Sequence, residues 1–124
     1  MIYEIKQDGK FKYIEEGNGE PLLLLHGLFG ALSNFAHLIE YFNKSYKVVV
    51  PMLPLLDLDL LHTSVGGLQK FVHKFIENRN YTSINLLGNS LGGHVALVHI
   101  LKHPERIKSL TLTGSSGLFE NGMG

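Results

Sequence analysis

Four short strand-like runs constrain this chain more than any other feature: Leu22–Leu25, Lys47–Val50, Ile84–Leu87 and Ile107–Thr113. Continuous apolar runs of that length read as strands buried on both faces, which is the signature of a parallel sheet covered by helices. The segments between them change to a helical period. Phe35, Leu38, Ile39 and Phe42 fall at i, i+3, i+4 and i+7, with Ser33 or Asn34 placed to cap the helix. Leu68, Phe71, Val72, Phe75 and Ile76 form the clearest amphipathic stretch, which ends near Asn78-Arg79-Asn80. Val95, Ala96, Leu97, Val98, Ile100 and Leu101 are apolar on most sides and predict a central, heavily covered helix that Pro104 stops. Ahead of all this, Ile2–Ile5 and Phe11–Ile14 alternate around Asp8-Gly9, a hairpin signal.

The order is a hairpin, then strand and helix in alternation. It predicts an α/β fold: a doubly wound, mostly parallel sheet of about six strands with an N-terminal antiparallel hairpin. The 124 residues suit a single domain, 1–124, and an apolar content of 44% is enough to build its core. Eleven basic residues balance eleven acidic ones, so no charge excess draws nucleic acid or an anionic membrane. Cysteine is absent, which excludes disulfides, thiol catalysis and cysteine-based zinc sites. His94 and His99 are five apart and do not share a helix face. Neither a metal nor a cofactor is expected. Met1-Ile2-Tyr3-Glu4 is a strand pattern, unlike a signal peptide, and Leu22–Leu25 is far too short to span a bilayer. The expected location is cytoplasmic.

Ligands of open α/β sheets bind at the carboxyl ends of the strands. Two glycine-marked loops sit there, His26–Gly30 and Gly88–Gly93. In the second, Gly88-Asn89-Ser90-Leu91-Gly92 places a serine on a sharp strand-to-helix turn, a nucleophile elbow. A Cβ at Gly88 or Gly92 would strike the neighbouring helix or strand. The Ser90 hydroxyl then projects at the positive end of the following helix, and the Leu91 N–H provides half of an oxyanion hole. The backbone N–H of Leu28, or else that of Phe29, supplies the other half, aimed by the turn at His26-Gly27. Asn89 either touches substrate or braces the elbow.

These pieces resemble the α/β-hydrolase superfamily: Leu-Leu-His-Gly at 24–27, Asn34-Phe35, Leu87 to Gly93, and His103-Pro104-Glu105-Arg106-Ile107 before a Leu-x-Leu strand. Asn89 and Gly114-Ser115-Ser116-Gly117-Leu118 are similar to hydrolases of meta-cleavage products, and His-Gly-Leu-Phe-Gly to small carboxylesterases. The resemblance implies acyl transfer on a small-molecule ester or diketone substrate. Ser90 would act as nucleophile, Leu91 and Leu28 as oxyanion donors, with His26, Phe29 and Asn89 lining the substrate site and no cofactor. It also implies a triad acid and histidine on strands beyond Thr113. After Ser90 the chain offers only Glu105 and Glu120 as acids, and only His94, His99 and His103 as histidines. The expectation is therefore the N-terminal part of a hydrolase core, lacking the lid, the last strands and activity on its own. The alternative is a non-catalytic scaffold or interaction protein of the same fold.

His94 is one turn from Ser90, but a satisfied histidine beside the core is the preferred reading over a general base. His26 is preferred as a turn residue bonding backbone. His62 with Asp57 or Asp59 could form a makeshift base and orienter, though solvated loop residues are the preferred account. Met52–Leu58 lacks the glycines that family members carry there, and its leucines need cover. Finally, strand 107–113 would be an exposed apolar edge, predicted to pair a second copy into a homo-oligomer or to aggregate.

Overall fold

The computed structural model describes residues 3–27, 35–54 and 64–114. Six strands form one mixed sheet: β1 (Lys6–Asp8), β2 (Phe11–Glu16), β3 (Pro21–Leu25), β4 (Lys47–Pro51), β5 (Ile84–Asn89) and β6 (Ile107–Thr113), in the order β1-β2-β4-β3-β5-β6. β2 pairs antiparallel with both β1 and β4, whereas β4, β3, β5 and β6 run parallel. The helices are α1 (Ala36–Phe42), α2 (Ser64–Arg79) and α3 (Leu91–Lys102), followed by a single 3-10 turn at Pro104–Arg106. The architecture matches the doubly wound α/β expectation.

Strand alternation sorts the core into two layers. Leu22, Leu24, Val48 and Val50 pack with Phe35 and Ile39, beside α1. Leu23, Leu25, Val49 and Leu86 pack instead with Val72, Phe75 and Ile76 of α2 and Val95 and Ala96 of α3. A sheet buried on both faces is why its central strands read as unbroken apolar runs. Phe75 anchors the second layer, with its ring edge-on to Phe11 at 5.6 Å and to Tyr13 at 5.4 Å.

Two expectations change and a third falls outside the described residues. The first strand is Lys6–Asp8 and not Ile2–Ile5, because the turn sets the pairing: Asp8 sits opposite Phe11 across Gly9, which adopts φ +61. Three residues of β1 then find partners, and Ile5 is left 53% exposed. The cap residues Ser33 and Asn34 lie outside the described residues, and α1 begins after Phe35 without a side-chain cap. Last, α3 is covered by the sheet and by α2 but not all round. Gly92, Gly93, Val95, Ala96 and His99 are buried, while Leu101 is 81% exposed. The small residues let α3 approach the sheet closely, and no described element covers its opposite face.

β6 is one edge of the described sheet, with only Ile107, Leu110 and Thr113 half-buried. Beyond β4, Leu53 is buried in the core, whereas Leu55 to Thr63 lie outside the described residues. Among the described residues, no helix is long and apolar enough to cross a membrane.

Candidate active site

β5 delivers the chain to Ser90, and α3 begins at the next residue. Ser90 has φ 57 and ψ −118, a conformation that side-chain-bearing residues rarely adopt. It persists because the surrounding backbone leaves the turn no room to relax. A Cβ on Gly88 would overlap the Gly92 carbonyl and Gly93 Cα, that is, the start of α3. One on Gly92 would overlap the Leu25 carbonyl at the end of β3. Both glycines are thus required by close approach, one toward the helix and the other toward the strand.

The Ser90 backbone is tied in on both sides. Its N–H donates to the Thr113 carbonyl of β6 at 3.1 Å. Its own carbonyl accepts from the Gly93 and His94 N–H groups at 2.9 and 3.3 Å, closing the first turn of α3. The Leu91 N–H, in that first turn, has no intrahelical acceptor, and the helix dipole places partial positive charge there. The Ser90 side chain lies at the exposed carboxyl end of the sheet.

The loop after β3 comes to the same spot. A Cβ on Gly27 would lie 3.2 Å from Ser90 Cβ and 3.7 Å from the Leu91 nitrogen. His26 holds this loop. Its Nε2 accepts from the Leu53 N–H at 3.0 Å, which leaves the proton on Nδ1 to donate to the Gly27 carbonyl at 3.1 Å. Burial, first of all, lowers the pKa of the His26 ring, so it stays neutral. Both ring nitrogens are occupied by backbone, the arrangement of a turn residue.

Asn89, half-buried, directs its side-chain oxygen toward β6, where it accepts from the Thr113 hydroxyl at 3.2 Å. Leu28 and Phe29 lie outside the described residues, as do Asp57, Asp59, His62 and Glu120. His94 is exposed, which corrects the reading of a histidine satisfied beside the core. The buried histidine of α3 is His99, whose Nδ1 pairs with Gln69 Nε2 at 3.1 Å. Beside it, His73 and His103 stack at 3.7 Å. Sequence reasoning missed this cluster, because an i, i+4 histidine pair on α3's own flank says nothing of the partner on α2. Thr113 was also missed, since only strand register brings it opposite Asn89. No group of three or more His, Asp and Glu among the described residues is arranged to hold a metal ion.

A strained serine, flanked by two close-approach glycines between a parallel strand and a helix, restricts the families to which this chain can belong. The family model for the alpha/beta hydrolase fold matches residues 20–123. The chain belongs to the alpha/beta hydrolase fold family. Among its relatives in that family, Lipase 1 of Psychrobacter immobilis is 31% identical over 121 residues, covering 92% of this chain and 38% of the relative. The 2-hydroxy-6-oxo-6-(2'-aminophenyl)hexa-2,4-dienoic acid hydrolase of Metapseudomonas resinovorans is 31% identical over 117 residues, covering 86% of this chain and 39% of that hydrolase. In solved structures, the alpha/beta hydrolase MGS-MChE2, from the metagenome of Mar Chica lagoon sediments in Morocco, superposes with a TM-score of 0.86 at 50% identity. That match covers 94% of this chain and 54% of the MGS-MChE2 chain. The chain therefore spans between about two fifths and just over half of these hydrolases.

Proposed function

We propose that this chain is the N-terminal part of a serine hydrolase that cleaves a carboxylic ester or a carbon–carbon bond through an acyl-enzyme. The observation that carries the reading is the strained backbone of Ser90 between β5 and α3. In this reading, Ser90 Oγ attacks the substrate carbonyl carbon as a histidine takes its proton. The N–H groups of Leu91 and Leu28 stabilise the oxyanion, and the same histidine returns the proton to the leaving group. Water then attacks the acyl-enzyme, giving a proton to the histidine, which passes it to Ser90 Oγ as the bond between the acyl carbon and Ser90 Oγ breaks and the carboxylic acid leaves. Phe29 lines the substrate side, Asn89 braces the elbow through Thr113, and His26 acts by holding the turn at Gly27 that aims Leu28.

The histidine and its acid come, on this reading, from sequence that follows this chain in the whole enzyme, and the 124 residues alone are inactive. The lengths of the related hydrolases support this. The printed activities of the relatives, lipase on one side and dienoic acid hydrolase on the other, support both the ester and the carbon–carbon alternatives. The test is labelling of the intact gene product with a fluorophosphonate. We expect one label, on Ser90, lost in Ser90→Ala; an unlabelled Ser90 in a folded, intact product overturns the reading.

The alternative is a scaffold or interaction protein that keeps the fold without the chemistry, for which Ser90 takes no label. The same labelling separates the two. On its own, the 124-residue chain would associate through β6, whose outer edge pairs with no described strand.

A further inference from the structure

We infer that Thr113 is a positioning residue for Ser90, acting on it both directly through backbone and indirectly through Asn89. The inference rests on the reading of Ser90 as nucleophile. Thr113 is the last residue of β6 and lies in register with Asn89, the last residue of β5. It engages two consecutive residues of the elbow. Its carbonyl accepts the Ser90 N–H at 3.1 Å, and its hydroxyl donates to Asn89 Oδ1 at 3.2 Å. The next residue, Gly114, turns away at φ +53, and a Cβ there would fall on Asn89 Oδ1. Asn89 thus fills the space left by a missing side chain, and its oxygen is already occupied from within the fold.

These contacts matter because a backbone held off the favoured regions survives only where its surroundings over-determine it. The glycine contacts confine Ser90 from the side of β3 and α3. From the side of β6, the last ladder bond and the Asn89 latch confine it. β6 is the edge strand, so among the described residues no further strand stiffens Thr113 from outside. Asn89 is accordingly assigned to the elbow and not to the substrate, and removing the Thr113 hydroxyl should let the serine drift from its reactive geometry without emptying the binding site.

The test compares Thr113→Val, Thr113→Ser, Asn89→Ala and the Asn89→Ala/Thr113→Val double variant in the intact gene product. For each, the maximal labelling rate and the half-saturating concentration of a fluorophosphonate are measured, with hydrogen exchange at the Ser90 amide. Valine keeps the β-branched shape, so folding is retained. We expect Thr113→Val to lower the maximal labelling rate about tenfold, as the loss of one hydrogen bond allows. The half-saturating concentration stays unchanged, and Thr113→Ser restores the rate. The double variant should be no slower than Asn89→Ala, because the two residues act as one unit. Wild-type labelling in Thr113→Val, additive losses, or a loss confined to half-saturation would overturn the assignment; the last outcome would make Asn89 a substrate contact. If the wild type does not label at all, the nucleophile reading fails separately. The latch is then decided by the Ser90 amide, whose exchange must quicken in Thr113→Val; unchanged exchange rejects it.

Discussion

Gly92 and His99, on the same helix, show how single positions in this chain answer to their surroundings. At Gly92 the neighbour is backbone, the Leu25 carbonyl, which cannot rotate away as a side chain could. Gly92→Ala should therefore cost about 2–3 kcal/mol, despite alanine's better helix propensity. Chemical denaturation would measure it, and a neutral or stabilising result would contradict the close approach of α3 to β3. At His99 the surroundings are chemical. The ring is buried and its pKa falls to about 4, through burial first, then through His103 and His73, with Glu105 opposing. Gln69 occupies its Nδ1, and His73 lies 3.5 Å from Glu77 on the outer side. The unfolded chain takes up this proton near the ordinary value of 6.5, the folded chain only near 4. Folding therefore excludes a proton in that window: stability is full above about 6.5 and declines as pH falls toward about 4. Urea unfolding across this range should show the decline, and His99→Gln should flatten it.

Among the elements, α2 and β6 represent opposite conditions. α2 is the element that the sequence marked most clearly, and its apolar face is where the fold holds it. Phe75 is fully buried and meets Phe11, Tyr13 and Tyr81 edge-on. Phe75→Ala should destabilise the fold by about 3–5 kcal/mol, since no neighbour can fill a space of that size. That is a large part of the ~5–15 kcal/mol that holds a domain together, so the thermal midpoint should fall steeply. β6 is legible as a strand too, yet one of its flanks pairs with no described strand. Its inner end is well attached: Lys108 reaches Glu20 at 2.9 Å and holds that carboxyl below its ordinary range, chiefly by this hydrogen bond. The open flank and the exposed Leu112 should drive concentration-dependent self-association of the 124-residue chain. Leu112→Lys should weaken it, as read by light scattering; a wild-type chain that stays monomeric at high concentration would contradict the open edge.

At the scale of the molecule, β6 with the exposed Leu112 forms the edge of the described sheet next to β5, while on the other side β2 and β1 follow β4. The related hydrolases are longer by half or more. The elbow sits one strand in from the β6 edge. Its carriers, Ser90, Gly88 and Gly92, were legible because glycine at a forced close approach leaves a mark in the sequence. His26 as a backbone-bonding turn residue was legible for a similar reason, since it sits between a buried strand and a glycine. Thr113, Gln69 and the stacked histidines were not. Each acts through a partner 24 to 30 residues away, and nothing local marks such a pairing.

The amino-acid sequence by itself determined the strand and helix order, the two-faced burial of the central sheet and the place of the elbow. Those follow from periodicity and from glycines that admit no substitute. Tertiary structure alone decided where β1 begins, which face of α3 is covered, and that Thr113 holds both Asn89 and Ser90. The reason is physical: turn geometry, neighbour count and strand register are properties of elements after they meet, and a run of residues carries them only in combination with the rest of the chain.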